Sequence, residues 1–481
     1  MNRRIFALAA VLLVTAGSLN AQKLKKSITW ENFNVHPAQL PIVGQLQPRH
    51  SDGTGNSWWS VGCETLDRDY AIFDNYKQYV GETGVGYARL QSGWAKTEQE
   101  KGKYDFAWLD AQVDGLLEQG VKPWICLCYG NPVYSDHGLN LGAKIFPDGE
   151  IMDAWCKYVA QVVKRYKGKV TMYEVWNEPD GSKHGDSYNE YANLFVNTAK
   201  TIRKYDKDVK IAAFGICSPE KDYIRLSLAR MKELGGIDYV DYITWHGYWP
   251  NPDDLDTAVK KLREDAKSYS EKIELLQGES GCPGQLEYGH ALNSRDLDEY
   301  KQVKWDLRHM ATNFNLGVPS SVFTMVDLNY GWMLQSFGLI RMNLNSVPQY
   351  KRPKFYGVQN MCSVVTRDFT PCEEGELKVI SSCGREIKAV GLKKGDKIVG
   401  YMLYFCDEQP TSSLERTPVS LTVEGTTLDK PVYVDMVTGK VHDLGGVIIR
   451  GGNAYDKVKF TRLPLWDAPV LIVNKSEIKY K

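Results

Sequence analysis

Two short stretches hold the residues with the most chemical promise. In YEVWNEPDGS, Tyr173 to Ser182, an apolar run delivers an amide and a carboxylate, Asn177 and Glu178, directly before a proline. In LLQGESG a second carboxylate, Glu279, ends another apolar run 101 residues later. Two carboxyl groups held roughly 5 to 5.5 Å apart support cleavage of a glycosidic bond, one as nucleophile and the other giving and taking a proton. Arg89 closes the run GVGYAR, and His246 and Tyr248 close YVDYITWHGY. Each residue alone has a plainer reading: Asn-Glu-Pro is also a helix-capping turn, and a single histidine is commonly a satisfied core residue.

These residues acquire meaning from the elements that must carry them. From about Trp58 to Tyr356, short apolar runs alternate with helical patterns. SWWSVGC, GVGYARLQ, VKPWICLCY, VTMYEVW, KIAAFGIC, YVDYITWHGY, KIELLQGE and PSSVFTMVD make eight strands. The helix expected over 106–119 places Leu109, Val113, Leu116 and Leu117 on one face and ends at Gly120. Repeated strand–helix units over roughly 250 to 300 residues predict a parallel (β/α)8 TIM barrel. A doubly wound open sheet would carry a G-x-G-x-x-G turn at its first strand, and the sequence has none there. In such a barrel, chemistry belongs where strands end. Glu178 then ends strand four and Glu279 strand seven, separated by three units of about 34 residues, an ordinary size. Glu174 shares the strand parity of Glu178, points inward and pairs with a buried base such as Arg89. Glu274, early on strand seven, is structural. Asp180 and Asp186 cap or solvate the start of the following helix.

After about Gln359 the period becomes two. Val419, Leu421 and Val423 alternate with polar residues, and VYVDMVTGKVHDL reads as a hairpin turning at Thr438–Gly439. The expected organisation is a signal peptide over 1–21, an arm over 22–57 able to lend a strand to the second domain, the barrel over 58–358 and a C-terminal all-β sandwich over 359–481. The chain has no low-complexity linker, so the two domains should pack rigidly.

Hydrophobic residues make up 43% of the chain, and 59 basic residues balance 59 acidic ones, so no broad positive field points to nucleic acid. Arg3 and Arg4 before the apolar run to Gly17 read as an export signal, with cleavage expected near Ala21 and a mature charge of −2. No cysteine precedes Cys63, so no lipid anchor is expected there, and no later run is long enough to span a bilayer. The expected location is periplasmic or secreted, without membrane attachment. Several of the ten cysteines lie in buried strands, which favours free thiols over a disulfide framework. No cofactor or metal is expected: the sequence contains no H-x-H and no C-x-x-C, and its eight histidines are scattered. Strand six carries no lysine for Schiff-base chemistry.

EVWNEP, Glu174 to Pro179, resembles the strand-four signature of clan A retaining glycoside hydrolases. GWAKTEQEKGKYDFAWLD, Gly93 to Asp110, resembles the clan's loop after the second strand, and Glu279 before Ser280 and Gly281 matches the place of the nucleophile. The appended sandwich is similar to that of glycoside hydrolase family 39 or a near neighbour. The resemblance implies that Glu178 is the acid/base and Glu279 the nucleophile of a two-step hydrolysis of an equatorial glycosidic bond, a β-D-glycoside or the equivalent α-L-glycoside. It further implies that Asn177 bonds to the sugar's 2-hydroxyl, Arg89 holds the nucleophile ionised, Tyr248 hydrogen-bonds to it and His246 lines the subsite. The substrate would be an oligosaccharide or polysaccharide; the rival reading is a non-catalytic carbohydrate-binding barrel. Trp94, Tyr129, Asn131 and Trp249 follow strand ends and either contact sugar or pack the loops. The clan usually ends strand eight with a tryptophan platform; here SVFTMVDLNYGW offers Phe323, with Trp332 farther on. Electrostatics predicts that the charge of Glu279 raises the pKa of Glu178 until the sugar ester removes that charge.

Overall fold

The computed structural model describes residues 24–134, 149–181, 187–219, 222–449 and 457–481. The expected export signal and Asp186 lie outside them. Eight parallel strands close into a barrel: β1 (Trp59–Gly62), β2 (Tyr87–Gln91), β3 (Lys122–Leu127), β4 (Met172–Val175), β5 (Lys210–Ile216), β6 (Tyr242–Trp245), β7 (Glu274–Ser280) and β8 (Ser320–Val322). β8 pairs with β1 through Ser320 and Trp59, which completes the ring. The strands are largely buried on both faces because helices cover the outside and side chains fill the inside. Helix Ala107–Glu118 buries Leu109, Val113 and Leu116, and its chain turns away at Gly120, whose φ of +72° suits glycine.

The barrel interior is layered. Trp124, Met172, Ala212 and Leu276 form an apolar floor. Above it stand Arg89, Glu174 and Thr244, all fully buried. Two departures from regular pairing shape the mouth. β7 and β8 shift register between Ser320–Gln277 and Val322–Ser280, so β7 holds one extra residue in the interval that includes Glu279. Such a bulge re-aims a side chain. A second shift lies between β5 and β6 around Gly215, φ +57°.

Among the described residues the remaining strands form two larger antiparallel sheets, of seven and four strands, and two small sheets of three and two strands. Arm residues Ile42–Gln45 add to the larger sheet beside Lys440–Asp443, whereas Lys25–Lys26 pair with Pro348–Lys351. All ten cysteines are free thiols. Among the described residues, no helix is long and apolar enough to cross a membrane.

Barrel and sheets meet at helix Glu299–Asn315, through buried charges. Lys304 bonds Asp467 at 2.6 Å and the carbonyls of Thr411 and Ser413. Arg308 donates to Asp253 at 2.7 Å, to Asn251 and to the carbonyl of Glu408. Asp253, in the loop after β6, also accepts from Thr312 and from Tyr404 of the sheet. The second domain thus braces the loop that follows His246 and Tyr248. Asp253→Ala leaves Arg308 buried without its carboxylate and should cost roughly 3 to 5 kcal/mol. Denaturant unfolding measures this; a loss under about 1 kcal/mol would show that the other acceptors suffice.

Candidate active site

Arg89 organises the floor of the mouth. Its Nε and one terminal nitrogen both donate to Oε2 of Glu174, at 2.9 and 2.6 Å. The second of these nitrogens also reaches Oδ1 of Asn177 at 2.8 Å. The other terminal nitrogen donates to Oε2 of Glu279 at 2.8 Å and to Oε1 of Glu64 at 3.3 Å. Burial works against the guanidinium charge, but the carboxylates around it, Glu174 foremost, hold it cationic. Glu174 therefore has the expected pairing role, and Thr244 secures its other oxygen at 2.6 Å.

Glu279 has donors on both oxygens, since Tyr248 Oη–H reaches Oε1 at 2.7 Å. His246 Nδ1 lies 2.8 Å from Oε1 of Glu178 and 3.7 Å from Oε1 of Glu279. One ligand atom from each of Glu178, His246 and Glu279 falls within 4.8 Å of the others. The loop after β6 is tied to β7, because Gln277 bonds the carbonyl of His246 and Ser280 that of Gly247. The trio has the spacing for a metal ion; both oxygens of Glu279 already accept hydrogen bonds, and His246 Nδ1 is bonded to Glu178.

Strand parity does not present Glu178. β4 ends at Val175, and Trp176 and Glu178 both take left-handed backbone conformations, φ +71° and +50°. That geometry is costly for non-glycine residues and gathers at functional sites. Glu178 N–H is pinned to the carbonyl of Gly215 at 2.8 Å. The proton balance also differs from expectation. Burial pushes the Glu178 carboxyl upward, yet His246 foremost, together with Cys217 and Arg89, outweighs it and the net shift is downward. Burial lowers His246, but Glu279 and Glu178 carry it above its usual value. The two shifts, Glu178 downward and His246 upward, favour the proton on the His246 side of the pair. The expectation omitted this direct bond, and with it the largest opposing influence.

The other sequence candidates divide. Tyr129 is buried, edge-on to Trp176 and with Arg68 5.2 Å over its ring. Trp249 is half-buried, its carbonyl held by Trp305. Trp94 is a correction: it is fully buried, donates to Glu98 at 2.6 Å and stacks with Tyr134 and Tyr158. Asn131 is another: its amide bonds the carbonyls of Glu98 and Trp94 from a buried position. Both pack the loops and offer no surface to a sugar. Phe323 is buried edge-on against Tyr248 and Phe337, so it backs Tyr248 rather than forming a platform. Trp332 is 67% exposed.

Glu64 was missing from the sequence reading. It follows β1, is buried, and has one oxygen on Arg89 and the other without a partner among the described residues. A Cβ on Gly62 would meet that oxygen at 2.1 Å, so the carboxyl occupies the space this glycine leaves open. The signal was available: Glu64 follows the apolar run SWWSVG just as Glu178 and Glu279 follow theirs. Burial, assisted by the charge of Glu279, pushes Glu64 up to about 7 despite Arg89.

Residues 82–277 match the sequence model of Glycosyl hydrolases family 39. No curated protein sequence matches significantly. Among solved structures, a family 39 glycoside hydrolase from the gut symbiont Bacteroides cellulosilyticus WH2 aligns at TM-score 0.63 and 19% identity, over 88% of this chain and 82% of that one. A monomeric beta-xylosidase from Caulobacter crescentus CB15 aligns at TM-score 0.55 and 15% identity, covering 89% and 97%. A glucosidase from Croceicoccus marinus aligns at TM-score 0.54 and 12% identity, covering 90% and 96%. These structures share the barrel fold of this chain, and the resemblance to family 39 in sequence holds over the matched part of the barrel.

Glu64 gives a pH-dependent test. Its folded pKa lies above the ordinary 4.5, so between that value and about 7 the native state binds more protons than the unfolded one. Stability therefore falls as pH rises through that window. The Tm of Glu64→Gln relative to wild type should increase from pH 5 to pH 8. A constant difference would mean that Glu64 is ionised throughout.

Proposed function

We propose that the protein is a retaining glycosidase that cleaves an equatorial glycosidic bond by double displacement, with Glu279 as nucleophile and Glu178 as acid/base. The observation that carries this reading is the close Glu178–Glu279 pair, in which Arg89 and Tyr248 donate to Glu279 while Glu178 shares a proton with His246. A barrel that only binds carbohydrate has no need of that division.

In the first step a Glu279 oxygen attacks the anomeric carbon. The bond to the leaving oxygen breaks, and that oxygen takes a proton from Glu178. Arg89 keeps Glu279 ionised and oriented. Substrate displaces water from Glu178, whose side chain is 39% exposed in the free protein. This weakens the charge-separated His246–Glu178 arrangement relative to its neutral form, so the proton moves to the carboxyl as the acid is needed. In the second step Glu178 takes a proton from water, whose oxygen attacks the anomeric carbon and releases Glu279. Esterification has by then removed one negative charge beside His246. Asn177, held by Arg89, is assigned to the hydroxyl next to the anomeric centre.

Glu279→Gln should reduce turnover on the order of 10⁴-fold. Azide should rescue Glu178→Ala on an activated nitrophenyl glycoside, giving a glycosyl azide of retained configuration. Near-normal turnover of Glu279→Gln, or an azide product of inverted configuration, would contradict the assignment. A panel of nitrophenyl glycosides identifies the sugar.

His246 makes a separate prediction. The pair loses its shared proton at the raised pKa of His246. In His246→Asn only the carboxyl can hold that proton, so the alkaline limb of kcat/KM should move to lower pH. An unmoved limb would assign it to another group.

A further inference from the structure

Beyond the reacting groups, a line of aromatic rings leads from the mouth to open solvent. Tyr70 and Tyr330 lie 4.4 Å apart between ring centroids. Tyr330 is 4.5 Å from His290, and His290 stacks on Trp332 at 5.6 Å with only 15° between the planes. The inner end belongs to the site: Arg68 lies over both Tyr70 and Tyr129, and Tyr330 feels the charge of Glu279. The outer end is solvent-facing, with Trp332 67% exposed.

The two loops that carry these rings are built to hold them. Trp332 sits in the hairpin turn between Leu328–Asn329 and Leu334–Gln335, closed by Tyr330 N–H to the carbonyl of Met333. His290 lies in the loop after β7, where His290, Leu292 and Ser294 all have φ between +55° and +62°. Glu287, buried, fastens that loop to the next by accepting from the Oγ–H and backbone N–H of Ser336. A backbone strained at three non-glycine residues in order to present an exposed ring invites a functional reading.

Resting on the glycosidase reading above, we infer that Trp332, backed by His290, is a stacking subsite for a further sugar ring of the substrate, and that the enzyme acts on oligosaccharide or polysaccharide chains in preference to single-sugar glycosides. The flat CH face of a pyranose fits an indole, and the line of rings continues from the mouth, so one chain can occupy both. Partial burial lowers the pKa of His290, which favours an uncharged surface for the pair.

The test compares kcat/KM on the nitrophenyl monoglycoside selected by the panel with kcat/KM on di- to pentasaccharides of the same sugar. Wild type should gain with chain length. Trp332→Ala should remove roughly tenfold of that gain, about the scale of one aromatic contact, and leave the monoglycoside rate unchanged. Trp332→Phe should retain most of it. The inference is overturned if wild type gains nothing with length, or if Trp332→Ala changes both substrate types equally. If wild type cleaves no glycoside of any length, the glycosidase reading fails instead.

Discussion

Everything at the mouth of this barrel depends on one buried guanidinium. Arg89 is fully enclosed and donates to Glu174, Glu279, Glu64 and Asn177. A buried cation survives only where acceptors meet it with good geometry, and breaking such a set costs far more than the set contributes over an apolar core. Arg89 thereby couples stability to function. It sits on Glu174 as a structural pair while its opposite edge orients Glu279. Beneath it lies the apolar floor of Trp124, Met172, Ala212 and Leu276, with the guanidinium over the Trp124 ring.

The two carboxylates of the proposed mechanism are displayed by different devices. Glu279 lies in the bulged stretch of β7 and has both oxygens bonded. Glu178 stands beyond the end of β4 on a left-handed backbone, with a partly exposed side chain and a histidine as its proton partner. Rigid binding suits a group that must remain ionised and attack along one direction. Partial exposure suits a group that exchanges protons with a leaving group and then with water. The second domain contributes from a distance, bracing the loop after β6 through Asp253, Arg308 and Tyr404.

Much of this was legible in the sequence because it follows from periodicity and from carboxylates at strand ends. The barrel and the Glu174–Arg89 pair follow from those two signals, whereas the gathering of Arg89, His246 and Tyr248 about Glu178 and Glu279 was implied by the resemblance of EVWNEP and its partners to the clan signature. Other features escaped for identifiable reasons. Glu64 was passed over although it follows an apolar run like the others, because its role appears only when Gly62 leaves room for its carboxyl. Trp94 and Asn131 follow strand ends yet turn into the loop packing, which depends on neighbours such as Glu98 and Tyr158 that strand order does not reveal. The direction of the Glu178 shift depended on a single 2.8 Å bond to His246. The left-handed turn at Trp176 and Glu178 has no glycine to announce it.

The central claim is that Glu279 becomes covalently attached to the sugar. Incubation with a 2-deoxy-2-fluoro glycoside bearing a good leaving group slows both steps, and the second can be slowed enough for the ester to accumulate. Peptide mass spectrometry should then find the fluorosugar on Glu279, with Glu178 unmodified. Label on Glu178, or turnover of an accepted fluoroglycoside with no covalent adduct at any time, would contradict the account.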